Sequence, residues 1–247
     1  IVFVHGLNGG RLSTWTMNGV LWPQSLLLPK IPNARILTFG YNADLTMNTS
    51  TYGMRDHATK LLSSLRDKRE EPDELHRPII FVCHSMGGLI VKQALLTASI
   101  DQQYLLISQH TQGVVFMGTP HRGSDLAKWG SLLATVAKVA FLSPKKEFLD
   151  NLHKNRKELI ELSEDFIKIA AKYAFKSFYE ENRVKGVTAS QVVDKDSGTM
   201  KITQEEAIPI EGDHMGIARF SGPDDERFEA VWKAIRRLIP QTENIRM

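Results

Sequence analysis

The chain of 247 residues contains 42% hydrophobic and 24% charged residues, a net charge of +3 and one cysteine. These proportions are typical of a globular protein, and the length suffices for a sizeable core. The Lys and Arg residues are scattered along the chain, so nucleic acid is not an expected partner. One cysteine excludes an intramolecular disulfide, which fits a reducing compartment, and no apolar run of about 18 residues predicts a membrane span.

Short β-branched runs alternate with helical periodicity along the chain. Strands are predicted at residues 1–4, 34–39, 79–82, 113–117, 174–179 and 207–210. Ala58, Leu61, Leu62 and Leu65 recur at the spacing of one helix face, which predicts a helix over 54–68. Strands alternating with helices predict a mostly parallel sheet that is covered by helices on both faces. We therefore expect a single α/β domain over residues 1–247.

The region from about 123 to 173 shows helical segments and no strand signal, which predicts a helical cap insertion. Two interpretations stay open: the helices cover the sheet, or they form a lid over an acyl pocket. As part of a lid, the apolar stretch 132–142 would line the pocket or touch a membrane surface. A last helix is predicted to start at Pro223 and Asp224. Its apolar face consists of Phe228, Val231, Trp232, Ile235 and Leu238.

The most informative segment is Cys83-His84-Ser85-Met86-Gly87-Gly88, between an apolar strand and an apolar helix. A serine and two glycines also occur in ordinary turns, but this context favours a nucleophile elbow. Such an elbow exposes the serine hydroxyl and aims the N-terminal N–H groups of the helix at an anion beside it. Ser85 is therefore the candidate nucleophile. Cys83 occupies the first glycine position of the G-x-S-x-G pattern, so we expect a turn that is still possible but has less steric room, and its effect on the rate stays open.

A serine nucleophile needs a base, and the base needs an acid to orient it. In the chain order that belongs with such an elbow, the acid follows the serine and the histidine comes last. Of the eight histidines, His214 lies on a Gly-Asp-His-Met-Gly loop after a late strand and is the candidate base. Glu180 directly follows the predicted strand 174–179 and is the favoured acid, with Asp196 second and Glu181 third. The alternative for each of these residues is an ordinary place on the surface.

Attack of a serine on a carbonyl creates an oxyanion, which two backbone N–H groups are expected to bind. One belongs to Met86, the residue after the nucleophile. The other lies in the glycine-rich loop after the first strand, where Leu7 is the candidate and His5 is expected to brace the loop. The G-x-x-x-x-G-K-[ST] spacing of a nucleotide site is absent, and this chemistry needs no cofactor and no metal.

Several segments together resemble one family of α/β-hydrolases. They are His5-Gly6-Leu7-Asn8-Gly9-Gly10, Ser13-Thr14-Trp15, Ala34 to Tyr41, Cys83 to Gly88, Gly118 to Ser124 and Phe178-Tyr179-Glu180. The family is the lipase-like serine esterase group that contains the serine-active-site-containing lipid-remodelling proteins and the N-terminal hydrolase domains of fungal NACHT-type receptors. The resemblance implies an α/β-hydrolase fold with a helical cap, and Ser85, Glu180 and His214 as nucleophile, acid and base. It further implies an ester of a lipid or hydrophobic acyl group as substrate.

The expected function is that of a serine esterase or lipase, which cleaves a carboxylic ester through an acyl-enzyme. The alternative is a signalling or effector module of a larger NACHT-type receptor, with weak or regulated activity. Expected partners are an ester or lipid substrate, a membrane surface that the cap touches, and further domains fused to the chain. The chain begins inside an apolar strand, so we expect a trimmed start. The expected location is intracellular, either cytoplasmic or organelle-associated.

Overall fold

The computed structural model describes residues 1–43, 51–121, 134–140, 156–181 and 193–240. In these ranges six strands form one sheet, in the order β4-β1-β5-β6-β7-β8, and every pairing in it is parallel. The strands are β1 Val2–Val4, β4 Leu37–Phe39, β5 Ile79–His84, β6 Thr111–Met117, β7 Ala174–Glu180 and β8 Glu205–Ile210. A small antiparallel hairpin, β2 Thr16–Met17 and β3 Val20–Leu21, lies outside the sheet.

The helices of the described ranges cover the sheet, which confirms the predicted fold class. They are α1 Thr51–Asp67, α2 Gly87–Ile100, α3 Leu105–His110, α4 over residues 134–140, α5 Arg156–Ile169 and α6 Glu226–Arg237. Shorter helical segments occupy Ser13–Trp15, Pro23–Leu27, Leu28–Lys30, Pro72–Leu75, Ala170–Lys172 and Gly216–Ala218. No helix in these ranges is long and apolar enough to cross a membrane.

Two hydrophobic cores lie on opposite faces of the sheet because side chains alternate along each strand. On β5, Phe81 and Cys83 face a core shared with α1, α2 and α5. Ile80 and Val82 face the other core, which contains Trp15, Trp22 and the apolar side of α6. The strand register thus decides which loops each side chain at the end of β5 can reach.

Several predicted bounds differ from the structure. The predicted strand 34–39 pairs only from Leu37, because Ala34 is held in a turn by a hydrogen bond to Ile31. Strand β5 continues past the predicted 79–82 to His84. The last helix begins at Glu226 and not at Pro223, because the Asp225 side chain accepts the N–H of Arg227 and caps it.

The predicted cap falls partly outside the described residues, which omit 122–133 and 141–155. In the described part, Phe166 of α5 and the following Ala170 belong to the core beside α2. The N-terminal half of α5 and helix α4 instead pack over the elbow, in what we call the elbow cluster. Its buried members are Met86, Leu89, Val136, Ala137, Leu159, Leu162 and Val193.

Candidate active site

Ser85 forms the turn between β5 and α2. Its φ of 53° lies in the left-handed region, which is strained for a residue other than glycine and typical of functional turns. The backbone around it is fastened to the end of β6. The Ser85 N–H donates to the Met117 carbonyl (2.9 Å), and the Thr119 hydroxyl donates to the Ser85 carbonyl (3.0 Å).

Gly87 is required because the first turn of α2 passes the end of β1 closely. A Cβ atom at Gly87 would lie 2.4 Å from the carbonyl oxygens of Val4 and His5, a contact that real Cβ atoms essentially never make. Gly6 is close in the same way, since a Cβ atom there would lie 2.7 Å from the Cβ atom of Ser85. The loop after β1 therefore touches the serine directly.

Cys83 lies within strand β5 and not in the turn itself. It is the penultimate residue of β5, pairs in register with Phe116 of β6 and is fully buried in the core. Its side chain acts as a small apolar group on the face away from His84. Burial raises the pKa of the Cys83 thiol well above its usual value, so the thiol stays neutral.

The structure brings Ser85, His214 and Glu180 together. The Nε2 atom of His214 lies 2.9 Å from the Ser85 hydroxyl oxygen, and its Nδ1 atom lies 2.5 Å from Glu180 Oε1. All three are almost completely buried, with exposures of 2%, 1% and 0%. Because the carboxylate accepts, Nδ1 carries the imidazole proton, and the bare Nε2 is left to accept the serine O–H.

The other two candidate acids lie elsewhere. Asp196 is 83% exposed and pairs with the Lys201 ammonium at 2.7 Å. Glu181 is exposed, and its backbone N–H donates to Ile210. Glu180 is held by a second contact as well, because its Oε1 atom accepts the N–H of Val193 (3.2 Å).

The loop that carries His214 is fastened through its backbone. The Arg227 guanidinium donates to the carbonyls of Glu211, Gly216 and Arg219 at 3.2 to 3.5 Å, and Asp225 holds the guanidinium in place. The Asp213 carboxylate accepts the N–H of Gly216 (2.8 Å). These hydrogen bonds therefore hold the backbone of the loop from which the His214 side chain extends.

Of the two predicted oxyanion donors, Met86 is part of the elbow and Leu7 lies in the loop after β1. The Leu7 side chain packs against the elbow cluster, to which Met86 belongs. Within the described ranges, neither the Leu7 nor the Met86 backbone N–H has an internal acceptor. Both groups therefore remain available to an anion beside Ser85.

His5 braces the loop before Leu7, as expected, and Tyr41 is its unpredicted partner. The two rings stack with centroids 4.2 Å apart, and the Tyr41 hydroxyl donates to the His5 carbonyl (2.7 Å). Burial lowers the pKa of His5. Sequence reasoning also missed Thr119, Arg227 and His84, whose partners are backbone carbonyls and leave no spacing pattern. One pattern could have pointed to His84. It follows Ile80 and Val82 at a spacing of two, which predicts that its side chain lies on the same face of the strand.

Among the described residues, no group of three or more His, Cys, Asp or Glu side chains could hold a metal ion.

The fold and the site geometry define the class of protein, an α/β-hydrolase with a serine elbow. The mature lipase BlEst2 of Bacillus licheniformis matches with a TM-score of 0.62 and 18% identity, over 97% of this chain and 91% of that one. MGS-MChE2, an alpha/beta hydrolase from a lagoon-sediment metagenome, matches with a TM-score of 0.56 and 15% identity, over 96% and 90% of the two chains. At these identities the likeness shows the fold.

The chain belongs to the family described as "Putative serine esterase (DUF676)", which residues 1–180 match. It is 31% identical over 196 residues to Protein SERAC1 of Danio rerio, covering 71% of this chain and 29% of that protein. It is 28% identical to Protein SERAC1 of Bos taurus, covering 97% and 39%. The predicted resemblance to a lipase-like serine esterase is thereby confirmed. The chain spans about a third of the length of these curated relatives.

Proposed function

We propose that this chain hydrolyses a carboxylic ester through an acyl-enzyme on Ser85, with His214 as base and Glu180 as the orienting acid. One observation carries the proposal: the buried, continuous series of contacts from the Ser85 hydroxyl through both nitrogens of His214 to Glu180. Membership of the serine esterase family supports it. Such a series makes a weak hydroxyl nucleophilic without any other reagent.

The reaction follows from the positions of the protons. As Ser85 Oγ attacks the ester carbonyl, its proton moves to His214 Nε2, and Glu180 stabilises the imidazolium that forms. The Leu7 and Met86 N–H groups bind the oxyanion, and a donor of this kind is worth about 3 kcal/mol in the transition state. His214 then protonates the leaving alcohol. Water, activated by the same imidazole, hydrolyses the acyl-enzyme and restores the serine.

An ester with a hydrophobic acyl group is the substrate that the surroundings of Ser85 favour. The elbow cluster places apolar side chains from α4 and α5 beside Met86. The Asn8 side-chain amide donates to the Ala140 carbonyl (2.7 Å), which fastens the end of α4 to the loop that carries Leu7. An acyl chain leaving the oxyanion site would meet apolar groups in this direction, and burying it there would contribute about 0.8 kcal/mol per methylene.

The test combines covalent labelling with turnover. A fluorophosphonate should label the wild-type protein at Ser85, and Ser85→Ala should abolish both labelling and p-nitrophenyl ester hydrolysis, a loss on the order of 10⁶-fold in kcat. Ser25→Ala is the matched control, because Ser25 is exposed and its hydroxyl donates to the Leu21 carbonyl. Folded wild-type protein that resists the probe would contradict the proposal. A rise in kcat/KM with acyl length would support the hydrophobic substrate.

A further inference from the structure

His84, the residue before the nucleophile, binds the backbone of the proposed base. Its Nε2 atom lies 2.7 Å from the carbonyl oxygen of His214. A carbonyl oxygen can only accept, so Nε2 must carry the proton and donate it. The two imidazole rings lie with centroids 5.1 Å apart at an interplanar angle of 41°. His84 is 2% exposed, so this contact is made without competition from bulk water.

The strand register explains why this side chain reaches the His214 loop. His84 is the last residue of β5, on the same face as Ile80 and Val82. That face packs against the core that also contains Ile217 and Phe220 from the segment after His214. The serine one residue later turns into the left-handed region and points its hydroxyl at the ring. Two consecutive residues of the elbow therefore contact His214: His84 binds its backbone carbonyl, and Ser85 lies against its ring nitrogen.

We infer that His84 is a positioning residue, which sets the distance between the Ser85 hydroxyl and the His214 ring by fixing the backbone of His214. The inference rests on the proposed function of Ser85 and His214. The nucleophile and the base are 129 positions apart in the chain, and each stands on its own loop. His84 links the two loops directly, whereas Arg227 holds the His214 loop to α6.

The Nε2–H group is present in the cationic form of His84 and in the neutral form that has Nε2 protonated, so both forms can donate to the His214 carbonyl. Burial, followed by the charge of His214, lowers the pKa of His84 to about 3. The donor is therefore present at every pH at which His214 acts as a base, and protonation of His84 does not limit the reaction. The role assigned to it is geometric.

The experiment compares three substitutions. His84→Gln keeps an N–H donor near the position of Nε2. His84→Leu removes the donor at similar side-chain volume. His84→Asn keeps an amide N–H, but its side chain is too short to reach the His214 carbonyl. Kinetics with a p-nitrophenyl ester are expressed per active site, counted by fluorophosphonate labelling. We expect His84→Leu and His84→Asn to lower kcat by about tenfold to a hundredfold at unchanged KM, the cost of a misplaced catalytic group. His84→Gln should stay within about threefold of wild type.

Trp22→Phe is the matched control, because Trp22 donates to the Ala218 carbonyl in the same segment (2.9 Å) without touching His214. It should lower stability and leave kcat per active site close to wild type. The inference is overturned if His84→Leu and His84→Asn retain wild-type kcat per active site, or if His84→Gln is no more active than His84→Leu. Wild-type protein that neither reacts with the probe nor turns over ester would instead overturn the proposed function, and the inference with it. Should the Leu variant not fold, the comparison of Asn with Gln decides.

Discussion

Glu180 ends β7 and Asp196 follows it in the sequence, and the two carboxylates stand in opposite environments. Glu180 is the last residue of β7 and pairs in register with Ile210, the last residue of β8. Neighbouring parallel strands end at the same edge of the sheet, so Glu180 lies beside the loop that follows β8 and carries His214. Asp196 lies on a loop in contact with solvent. The register, more than the charge, places Glu180 and not Asp196 beside His214.

Replacing the two acids in turn tests this selection. Glu180→Gln should lower kcat by about 10³- to 10⁴-fold, because an amide no longer fixes the tautomer of His214 or stabilises its cation. Asp196→Asn should change kcat by less than about twofold, since exposed ion pairs contribute little. Steady-state hydrolysis of a p-nitrophenyl ester measures both. A larger loss for Asp196→Asn than for Glu180→Gln would show that the acid had been misassigned.

His84 should also make the protein sensitive to acid. Its pKa is about 3 in the folded chain, where burial, then His214, Arg219 and His5, disfavour the cation, against 6.5 as the ordinary value. Between these values the unfolded chain binds one more proton at this site. The free energy of unfolding therefore falls as the pH drops below 6.5, by up to about 1.4 kcal/mol per pH unit.

Urea unfolding of wild type and His84→Gln at several pH values between about 4 and 6 isolates this contribution. Glutamine does not titrate, so the free energy of unfolding of His84→Gln should depend on pH less steeply than that of wild type. The difference between the two slopes should correspond to close to one bound proton. The contributions of His5 and His57, whose pKa values burial also lowers, are common to both proteins and cancel. Equal slopes for the two proteins would mean that His84 is protonated as easily in the folded state as in the unfolded one.

At the scale of elements, the sequence predicts what local pattern controls. The helix expected over 54–68 is observed as Thr51–Asp67, and all six strands of the sheet are found. The hairpin of β2 and β3 was not predicted, because two-residue strands carry no periodicity. Likewise β5 looked shorter than it is, since His84 is polar and its partner, a carbonyl from the far end of the chain, leaves no mark in the local sequence.

The candidate site shows the same division. Chain order and strand context favoured Ser85, Glu180 and His214, which the structure brings into contact, but they left Asp196 and Glu181 open as alternative acids. The residues that hold them through backbone atoms, such as Thr119 and Arg227, could not be found in this way. Every residue type has a backbone carbonyl. The type of the accepting residue therefore gives no information about which side chain donates to it.

Helix α5 provides the element-scale test of the two interpretations of the cap. Phe166 is fully buried in the core beside α2, whereas its neighbour Ile167 is 40% exposed. If the helix is a fixed cover of the sheet, Phe166→Ala should lower the free energy of unfolding by about 3 to 5 kcal/mol, the usual cost of truncating a buried aromatic. Ile167→Ala should cost about 1 kcal/mol or less.

Urea unfolding followed by circular dichroism measures the difference between these two variants. A small effect of Phe166→Ala would show that this end of α5 separates from the sheet easily, as a mobile lid requires. A large loss of the free energy of unfolding in Phe166→Ala would mean that this end of α5 is fixed on the sheet. Any lid motion would then belong to α4 and the N-terminal half of α5, which pack over the elbow and not on the sheet.

At the scale of the molecule, the candidate site is assembled from three loops and one strand end at one edge of a single sheet. Leu7 follows β1, Ser85 follows β5, Glu180 ends β7, and His214 follows β8. Each loop inherits its position from the register of the strand before it. Because β1 and β8 lie four strands apart, with β5, β6 and β7 between them, loss of any inner pairing separates the parts of the site.

Activity and global structure should therefore be lost together. Trp15 and Trp22 are fully buried in the core that carries the His214 segment, so their fluorescence reports on the same body that holds the base. We expect the urea midpoints of ester hydrolysis, tryptophan fluorescence and circular dichroism to coincide, as for one cooperative unit. Loss of hydrolysis at clearly lower urea would mean that the site loops open before the sheet does. Separate fluorescence and dichroism midpoints would contradict a single domain over residues 1–247, because two independently folded parts report different transitions.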